Sequence, residues 1–356
     1  MLKARKAVLE MKEYHPPLSG REGLRLDFNE NTVGCSPRVL AKLRSITADQ
    51  LARYPEREPG ERTIAAFLGV SAAQVLLTNG VDEAIHLLCE CYLQDDDEVI
   101  IPTPTFSMYE IYAQQTGAKV ITVQAADDLR FPVAGVLSAI NARTKVIAIA
   151  SPNNPTGAAT SEEELVQVLK AAPHAAVLVD EAYFEFYGRT LVPLISRYAN
   201  LFIARTFSKA FGLAGFRLGA LVGSSDNLRM VRKVSSPYSV NGIALACLGE
   251  ALADEAYLHD YSAQVREGRE RLEKVLEGKG ITYWKSEANF ILLRLGEARI
   301  QFVESMKKRG ILVRDRNGDP GCGGCVRITI GTREQMDQLL KACSEVLDGS
   351  KGQSHR

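Results

Sequence analysis

Short apolar runs recur through the middle of the chain, at 75–77, 99–101, 120–123, 146–149, 176–179, 201–203 and 218–222. They are rich in valine, isoleucine and leucine and show little alternation with polar residues. Runs of this kind read as strands buried on both faces. Between several of them lie segments of helical length, such as 82–92 and 161–171. Strands alternating with helices predict an α/β architecture with one large, mainly parallel sheet of seven strands, covered on both sides.

After about residue 240 the alternation stops. A long helical stretch over 243–277 leads to strands at 281–284, 290–295, 311–313 and 326–330, then to a helix over 332–347. This predicts a second, smaller α+β domain. The first 45 residues lack strong periodicity. Pro16 and Pro17 forbid a helix at that point, so the segment reads as an extended arm. Helical patterning begins at Ser36-Pro37, a capping residue followed by proline at the first helical position. Arg53-Tyr54-Pro55 then breaks the chain. The expected organisation is an arm over 1–45 that packs with the small domain or a dimer partner, a large domain over 46–245, a small domain over 246–348, and a disordered tail over 349–356.

Composition narrows the function classes. With 356 residues and 46% hydrophobic content, the chain can bury two sizeable cores. Its 43 basic and 43 acidic residues cancel, which argues against nucleic acid or an anionic membrane as the main partner. Cysteines stand at 35, 89, 91, 247, 322, 325 and 343, an odd count without regular spacing, as expected of reduced thiols in a cytoplasmic protein. Cys322-Gly-Gly-Cys325 has a metal-like spacing, but no second pair and no nearby histidine accompanies it, so no metal is expected. The N-terminus is too charged for a secretory signal, and no apolar run approaches the roughly twenty residues of a membrane span.

Ligands of open α/β sheets bind beyond the carboxyl ends of the strands. Here those ends carry Asn79-Gly80-Val81-Asp82, Pro102-Thr-Pro-Thr-Phe106, Ser151-Pro-Asn-Asn154-Pro-Thr-Gly157, Asp180-Glu-Ala-Tyr183 and Thr206-Phe-Ser208-Lys209. A helix start at Gly80, Val81 and Asp82 offers free N–H groups to a phosphate. Thr206, Ser208 and Arg217 add hydroxyls and a guanidinium to the same seat. Phe106 suits stacking on a flat heteroaromatic ring. A buried Asp180 suits a protonated ring nitrogen, and Asn154 and Tyr183 suit a phenolate oxygen. Lys209, among small and apolar neighbours, suits an amine nucleophile and proton carrier. Together these requirements describe pyridoxal 5'-phosphate, with Lys209, Asp180 and Tyr183 as catalytic residues. In the later strands Arg327 lies between apolar residues and Arg314 ends the preceding strand. Both suit a clamp for a substrate anion.

The stretch Ser208-Lys209-Ala-Phe-Gly-Leu-Ala-Gly-Phe-Arg217-Leu-Gly219 resembles the lysine signature of the class I/II aminotransferases, pyridoxal-phosphate enzymes of fold type I. The resemblance covers nearly the whole chain. It implies that Lys209 carries the cofactor covalently and that Ser208 and Arg217 hold its phosphate. It gives Asn154, Asp180, Tyr183 and Phe106 the cofactor roles above. Further segments look like the histidinol-phosphate aminotransferase subgroup: Leu26-Asp-Phe-Asn-Glu-Asn31, Arg53-Tyr54-Pro55, Ser236-Pro-Tyr238-Ser-Val-Asn241, and Gly310-Ile-Leu-Val-Arg314-Asp315 followed by Cys325-Val-Arg327. That likeness implies a substrate site with Arg314, Arg327, Tyr14, Asn31 and Tyr238. It also implies a homodimer in which Tyr54 reaches the neighbouring subunit's cofactor phosphate. Amino donor and 2-oxo acid would be the small-molecule partners. Two departures stand out. Val81 replaces a small residue in the phosphate turn, and Asn31-Thr-Val-Gly-Cys35 replaces a proline-bearing version. The alternatives are a transaminase for aromatic or other amino acids and a lyase resembling threonine-phosphate decarboxylase. A ligand-sensing domain fused to a DNA-binding module is disfavoured, since no basic module precedes the arm.

Overall fold

A computed structural model of the chain describes residues 2–17 and 19–351, the last three as backbone only. The first strand, β1 (Leu24–Arg25), lies in the arm. Seven strands follow in the middle of the chain: β2 (Val75–Thr78), β3 (Glu98–Thr103), β4 (Lys119–Gln124), β5 (Thr144–Ala150), β6 (Ala176–Asp180), β7 (Leu201–Thr206) and β8 (Gly219–Gly223). They form one sheet in the order β2-β8-β7-β6-β5-β3-β4, parallel except for β8. The alternation of strand and helix along the chain thus yields the expected seven-stranded α/β layer.

The continuous apolar runs follow from burial on both faces. Along β6, Ala176 and Leu178 join one core while Val177 and Val179 join the other. Helices 80–92, 108–116 and 225–234 cover the first face through residues such as Ile85, Tyr109 and Val231. Helices 58–68, 162–171 and 242–253 cover the second through Ile64, Val168 and Leu248. Strand periodicity of two therefore distributes one apolar run between two cores.

The rest of the strands are β9 (Thr282–Trp284), β10 (Phe290–Arg294), β11 (Ile311–Leu312), β12 (Arg314–Asp315) and β13 (Cys325–Thr329). Four of them form an antiparallel sheet in the order β12-β13-β10-β9, while β11 pairs in parallel with β1. Helices 255–278, 298–308 and 333–351 pack against this sheet. Its core also takes in Leu26 from the arm and Tyr183 and Ala210 from the large sheet's loops. The Leu26 carbonyl accepts from the Thr329 N–H at 2.9 Å, so the arm runs beside β13.

Several boundaries differ from the sequence expectation. The stretch 243–277 is two helices, Gly242–Ala253 and Glu255–Gly278, broken at Asp254. Asp254 takes a non-helical conformation, and its side chain caps the second helix by accepting from the Tyr257 N–H. Aspartate favours such caps over helix interiors, but with no glycine or proline present the break is weakly marked. A short helix, Lys6–Glu10, stands in the arm where none was expected, while 11–17 has no regular structure. Ser36 caps the helix Pro37–Arg44 as the Ser-Pro pair predicts. Of the tail at 349–356, the last helix takes in the backbone to Lys351, and residues 352–356 lie outside the described residues.

One buried ionic cluster fastens helix 58–68 to β2, the edge strand of the large sheet. Glu61, 4% exposed, accepts from Arg232 at 3.0 Å through both oxygens and from the Leu77 N–H at 3.2 Å. Arg57 Nε stands 3.2 Å from the Oε1 that Arg232 and Leu77 also reach. Glu61→Ala leaves two arginines facing each other without a counter-charge, so unfolding free energy from urea titration should fall by about 3 kcal/mol. A loss of about 0.5 kcal/mol, the scale of a surface ion pair, would mean that the cluster does not fasten the helix.

Candidate functional site

The carboxyl ends of the large sheet's strands, the arm and the face of β12 and β13 enclose a cavity of about 270 Å³. Asp180, at the end of β6, forms one wall and is 5% exposed. Its Oδ2 accepts from the Tyr109 hydroxyl at 2.6 Å and its Oδ1 from the Ala182 N–H at 3.0 Å. Burial pushes its pKa up to about 6, while these two hydrogen bonds favour the anion. Asp180 is therefore ionised at neutral pH and held in one orientation. Tyr109 was not anticipated. It stands one helical turn after Phe106, and the two rings meet edge to face at 5.8 Å. The Phe-x-x-Tyr spacing at the start of a helix was the available signal.

The loop 207–218 joins β7 to its antiparallel neighbour β8, so the chain turns back over the sheet's end. It carries Ser208 and Lys209 into the cavity. Lys209 Nζ donates to the Phe28 carbonyl at 3.2 Å. Burial lowers its pKa to about 8, aided by repulsion from Arg327 and opposed by Glu30 and Asp82. At mildly alkaline pH a substantial fraction is free amine, the nucleophilic form.

The loop's far end meets the start of helix 80–92. Gly80 has φ +78°, and a Cβ there would stand 2.5 Å from Arg217 Nη2. A Cβ on Gly219 would stand 2.7 Å from the Gly80 carbonyl carbon. Only glycine lets the two backbones approach so closely. Arg217, itself at φ +52°, lies over this junction and pairs with Asp82 at 2.6 Å. Thr206, Ser208, Val81 and Asp82 line the same corner. Guanidinium, hydroxyls and a helix N-terminus thus converge on one spot, a donor set matched to a phosphate. Val81 joins the core beside the cavity and keeps its backbone N–H at the helix start.

On the opposite side stand Asn154, Tyr183 and the arginines. Tyr183 is 5% exposed, and its hydroxyl accepts from Asn29 Nδ2 at 2.9 Å. Asn154 Oδ1 accepts from Arg327 Nη1, and its amide hydrogens have no partner among the described residues. Arg327 also donates Nη2 to the Asp27 carbonyl at 2.6 Å. Arg314 lies over the Phe28 ring at 5.2 Å, with Arg21 also near that ring at 4.2 Å. Arg21 is neutralised by Asp27 and Glu30, whereas Arg314 has no carboxylate partner among the described residues. Tyr14, about half exposed, reaches the cavity from the arm.

Asn31 and Tyr238 stand outside the cavity they were expected to line, and Tyr54, expected at the neighbouring subunit's cofactor phosphate, lies outside this chain's own cavity. Asn31 is buried, but outside the cavity lining. Its amide donates to the Ala210 carbonyl at 2.8 Å and the Tyr257 hydroxyl at 2.9 Å, and its oxygen accepts from the Val33 and Gly34 N–H groups. Its hydrogen-bonding capacity is spent on the chain, and the arm's side chain engaging a site residue is Asn29 instead. Tyr54 and Tyr238 are 82% and 64% exposed and pair with each other at 4.9 Å, away from the cavity. Arg316, not anticipated, does line it. Among the described residues no group of three or more His, Cys, Asp or Glu side chains is placed to hold a metal, and no helix is long and apolar enough to cross a membrane.

The family model for aminotransferase class I and II matches residues 21–343. A histidinol-phosphate aminotransferase of Geobacillus sp. (strain WCH70) is 34% identical over 332 residues, covering 91% of this chain and 90% of that protein. The crystal structure of histidinol-phosphate aminotransferase from Sinorhizobium meliloti, in complex with pyridoxal-5'-phosphate, superposes with a TM-score of 0.88 at 25% identity, covering 98% of each chain. L-threonine-O-3-phosphate decarboxylase from Porphyromonas gingivalis shares the fold, with a TM-score of 0.77 at 22% identity over 91% of this chain and 99% of that one.

The depressed pKa of Lys209 has a direct consequence. In protein freed of small carbonyl compounds, acylation of Lys209 should rise with pH and reach half its limit near pH 8, followed by peptide mass spectrometry. A rate still climbing steeply through pH 10, as for an exposed lysine, would show that burial does not hold the amine neutral.

Proposed function

The chain belongs to the class I and II aminotransferases, which are pyridoxal-phosphate-dependent, and on that premise we propose that its amino donor is histidinol phosphate and its acceptor 2-oxoglutarate, as in histidine biosynthesis. The residues of the cavity fit the cofactor. The corner where Gly80 and Gly219 leave no room for a Cβ, under Arg217, suits its phosphate. Thr206, Ser208 and the helix N-terminus at Gly80–Asp82 would complete that seat. When bound, the cofactor supplies an electron sink for the charge left at the substrate Cα as its proton is removed.

The chain's own groups do the rest. Lys209 would hold the cofactor covalently and, once the amino donor displaces it, its freed amine would carry the proton from the substrate Cα to the cofactor carbon, and in the reverse direction when the 2-oxo acid is aminated. Asp180 would hold the proton of the ring nitrogen, with Tyr109 and the Ala182 N–H fixing its carboxylate. Phe106 would cover the ring, and Asn154 and the Tyr183 hydroxyl, set by Asn29, would donate to the phenolate oxygen. Arg314 and Arg327, paired across β12 and β13, would together clamp the phosphate of the amino donor.

The observation that carries the substrate reading is Arg314. It is a cation with no carboxylate partner among the described residues, braced on Phe28 and directly opposite Arg327 in the register of β12 and β13. Two guanidiniums suit a phosphate dianion better than a single carboxylate. The same reading makes the enzyme a cytoplasmic homodimer, with Tyr54 reaching the partner's cofactor phosphate. An exposed Tyr54–Tyr238 pair supports it, since large exposed aromatics mark contact surfaces. Sedimentation of the active enzyme as a 39.0 kDa monomer would end the dimer proposal.

Lys209→Ala should remove the visible absorbance of bound cofactor and stop turnover, and borohydride treatment should fix no cofactor elsewhere. Asp180→Asn should leave unfolding unchanged but cut turnover by about a hundredfold, the scale of one well-placed proton-holding group. Near-native turnover would reduce Asp180 to a loop cap. Arg314→Ala should weaken histidinol phosphate by about 1.5–3 kcal/mol, the scale of a charge-assisted hydrogen bond. Glutamate should be affected less. Equal losses for both would make the enzyme a general amino-acid transaminase.

A further inference from the structure

The strand that ends in Arg314 does not stop contributing there. The Arg316 N–H donates to the Cys325 carbonyl at 3.0 Å, so the antiparallel ladder of β12 and β13 extends one residue further. Arg314 pairs with Arg327 in that ladder and Asp315 with Val326, which sets Arg316 opposite Cys325. Alternate residues of a strand share a face, and directly paired residues share it too. Arg314, Arg316 and Arg327 therefore stand on one face, and all three line the cavity.

Arg316 is also held. Asp319, three residues on, pairs with it, and the Asp319 N–H donates to the Arg316 carbonyl at 3.0 Å, closing the turn. Asn317 Oδ1 accepts from the Gly324 N–H at 2.8 Å and ties that turn to the start of β13. The Arg316 side chain is only 16% exposed, and its Nε is buried with no hydrogen-bond partner among the described residues. Its charge is felt across the face. After burial, Arg316 is the largest cause of the lowering of Arg327's pKa to about 9, ahead of Arg314. A cationic face crowded in this way favours an anion that can accept from several donors at once.

We propose that Arg316 is a specificity-determining residue of the substrate site, a third arginine that binds the phosphate of the amino donor beside Arg314, with Asp319 fixing its position. This rests on the reading of the donor as a phosphate ester. Asp319 keeps the face from carrying three uncompensated cations while no anion is present. A phosphate offers three oxygens and up to two charges, whereas a monocarboxylate offers two oxygens and one charge. The third guanidinium thus widens the preference for the phosphorylated donor more than it strengthens binding of glutamate.

The experiment is steady-state kinetics of the holoenzyme carrying Arg316→Gln or Arg316→Lys, with histidinol phosphate and glutamate as donors and inorganic phosphate as inhibitor. Arg316→Gln should raise KM for histidinol phosphate about tenfold, the weight of one charged hydrogen bond. It should leave kcat much less affected, raise KM for glutamate by a smaller factor, and weaken phosphate inhibition in parallel with the first effect. Arg316→Lys, which keeps the charge, should lie between wild type and Arg316→Gln. Unchanged KM and unchanged phosphate inhibition in Arg316→Gln, beside large losses in Arg314→Ala, would overturn the role of Arg316 and leave the phosphate reading standing. Equal losses for both donors together with a lower unfolding midpoint would reduce Arg316 to a structural partner of Asp319. A wild-type enzyme that neither accepts histidinol phosphate nor is inhibited by phosphate would overturn both.

Discussion

The site depends on one buried guanidinium. Arg327 is 5% exposed, and its two terminal nitrogens bond to groups from different parts of the chain: the Asp27 carbonyl of the arm and Asn154 of the β5–β6 connection. Arg327 itself belongs to the small sheet. Three segments that share no strand are therefore joined at a charge that would be costly to bury unsatisfied. The cavity is the space these segments leave between them.

The placement of Arg327 sets the electrostatics of the rest. Its charge adds to burial in lowering Lys209, and it opposes the rise that burial imposes on Tyr183. The acids near the cavity are mostly engaged: Asp27 and Glu30 with Arg21, Asp82 with Arg217, Asp319 with Arg316. Asp180 differs, since its partners are a tyrosine hydroxyl and a backbone N–H, not a cation. The site has one carboxylate awaiting a cation, at the end of the central strand β6, and an arginine awaiting an anion, at the rim of the small sheet. That polarity fits a protonated ring inside and a phosphate ester outside.

Most of this was legible in the chain because it rests on local patterns. Buried strands announce themselves as unbroken apolar runs, and the polar residues just after them must face the crevice. Asp180, Lys209 and Arg217 were readable for that reason. What escaped depends on contacts distant in sequence. Tyr109 matters because its hydroxyl meets a carboxylate 71 positions away. Asn29 and Asn31 sit two positions apart and look interchangeable in the sequence. Only the path of the arm turns Asn29 toward Tyr183 and Asn31 toward Ala210. Arg316 was hidden because a strand labelled by its apolar residues appeared to end before it. Tyr54 and Tyr238 were drawn from a resemblance whose geometry involves a second chain.

The departure from the family after Asn31 can be explained in the same terms. Without a proline, the loop 32–35 has no built-in rigidity, yet it lies against the Lys209 loop: a Cβ on Gly212 would stand 2.0 Å from the Gly34 carbonyl oxygen. Asn31 supplies the missing constraint by accepting from both Val33 and Gly34, an Asx turn of the kind that substitutes for backbone pairing. The Tyr257 hydroxyl donates to the Gly34 carbonyl from helix 255–278 and closes the arrangement. Gly212, at φ +70°, then lets the lysine loop pass beneath. The position of Lys209 therefore depends on an asparagine whose amide is spent within the chain, because Asn31 holds both the loop above Gly212 and the carbonyl of the residue next to the lysine.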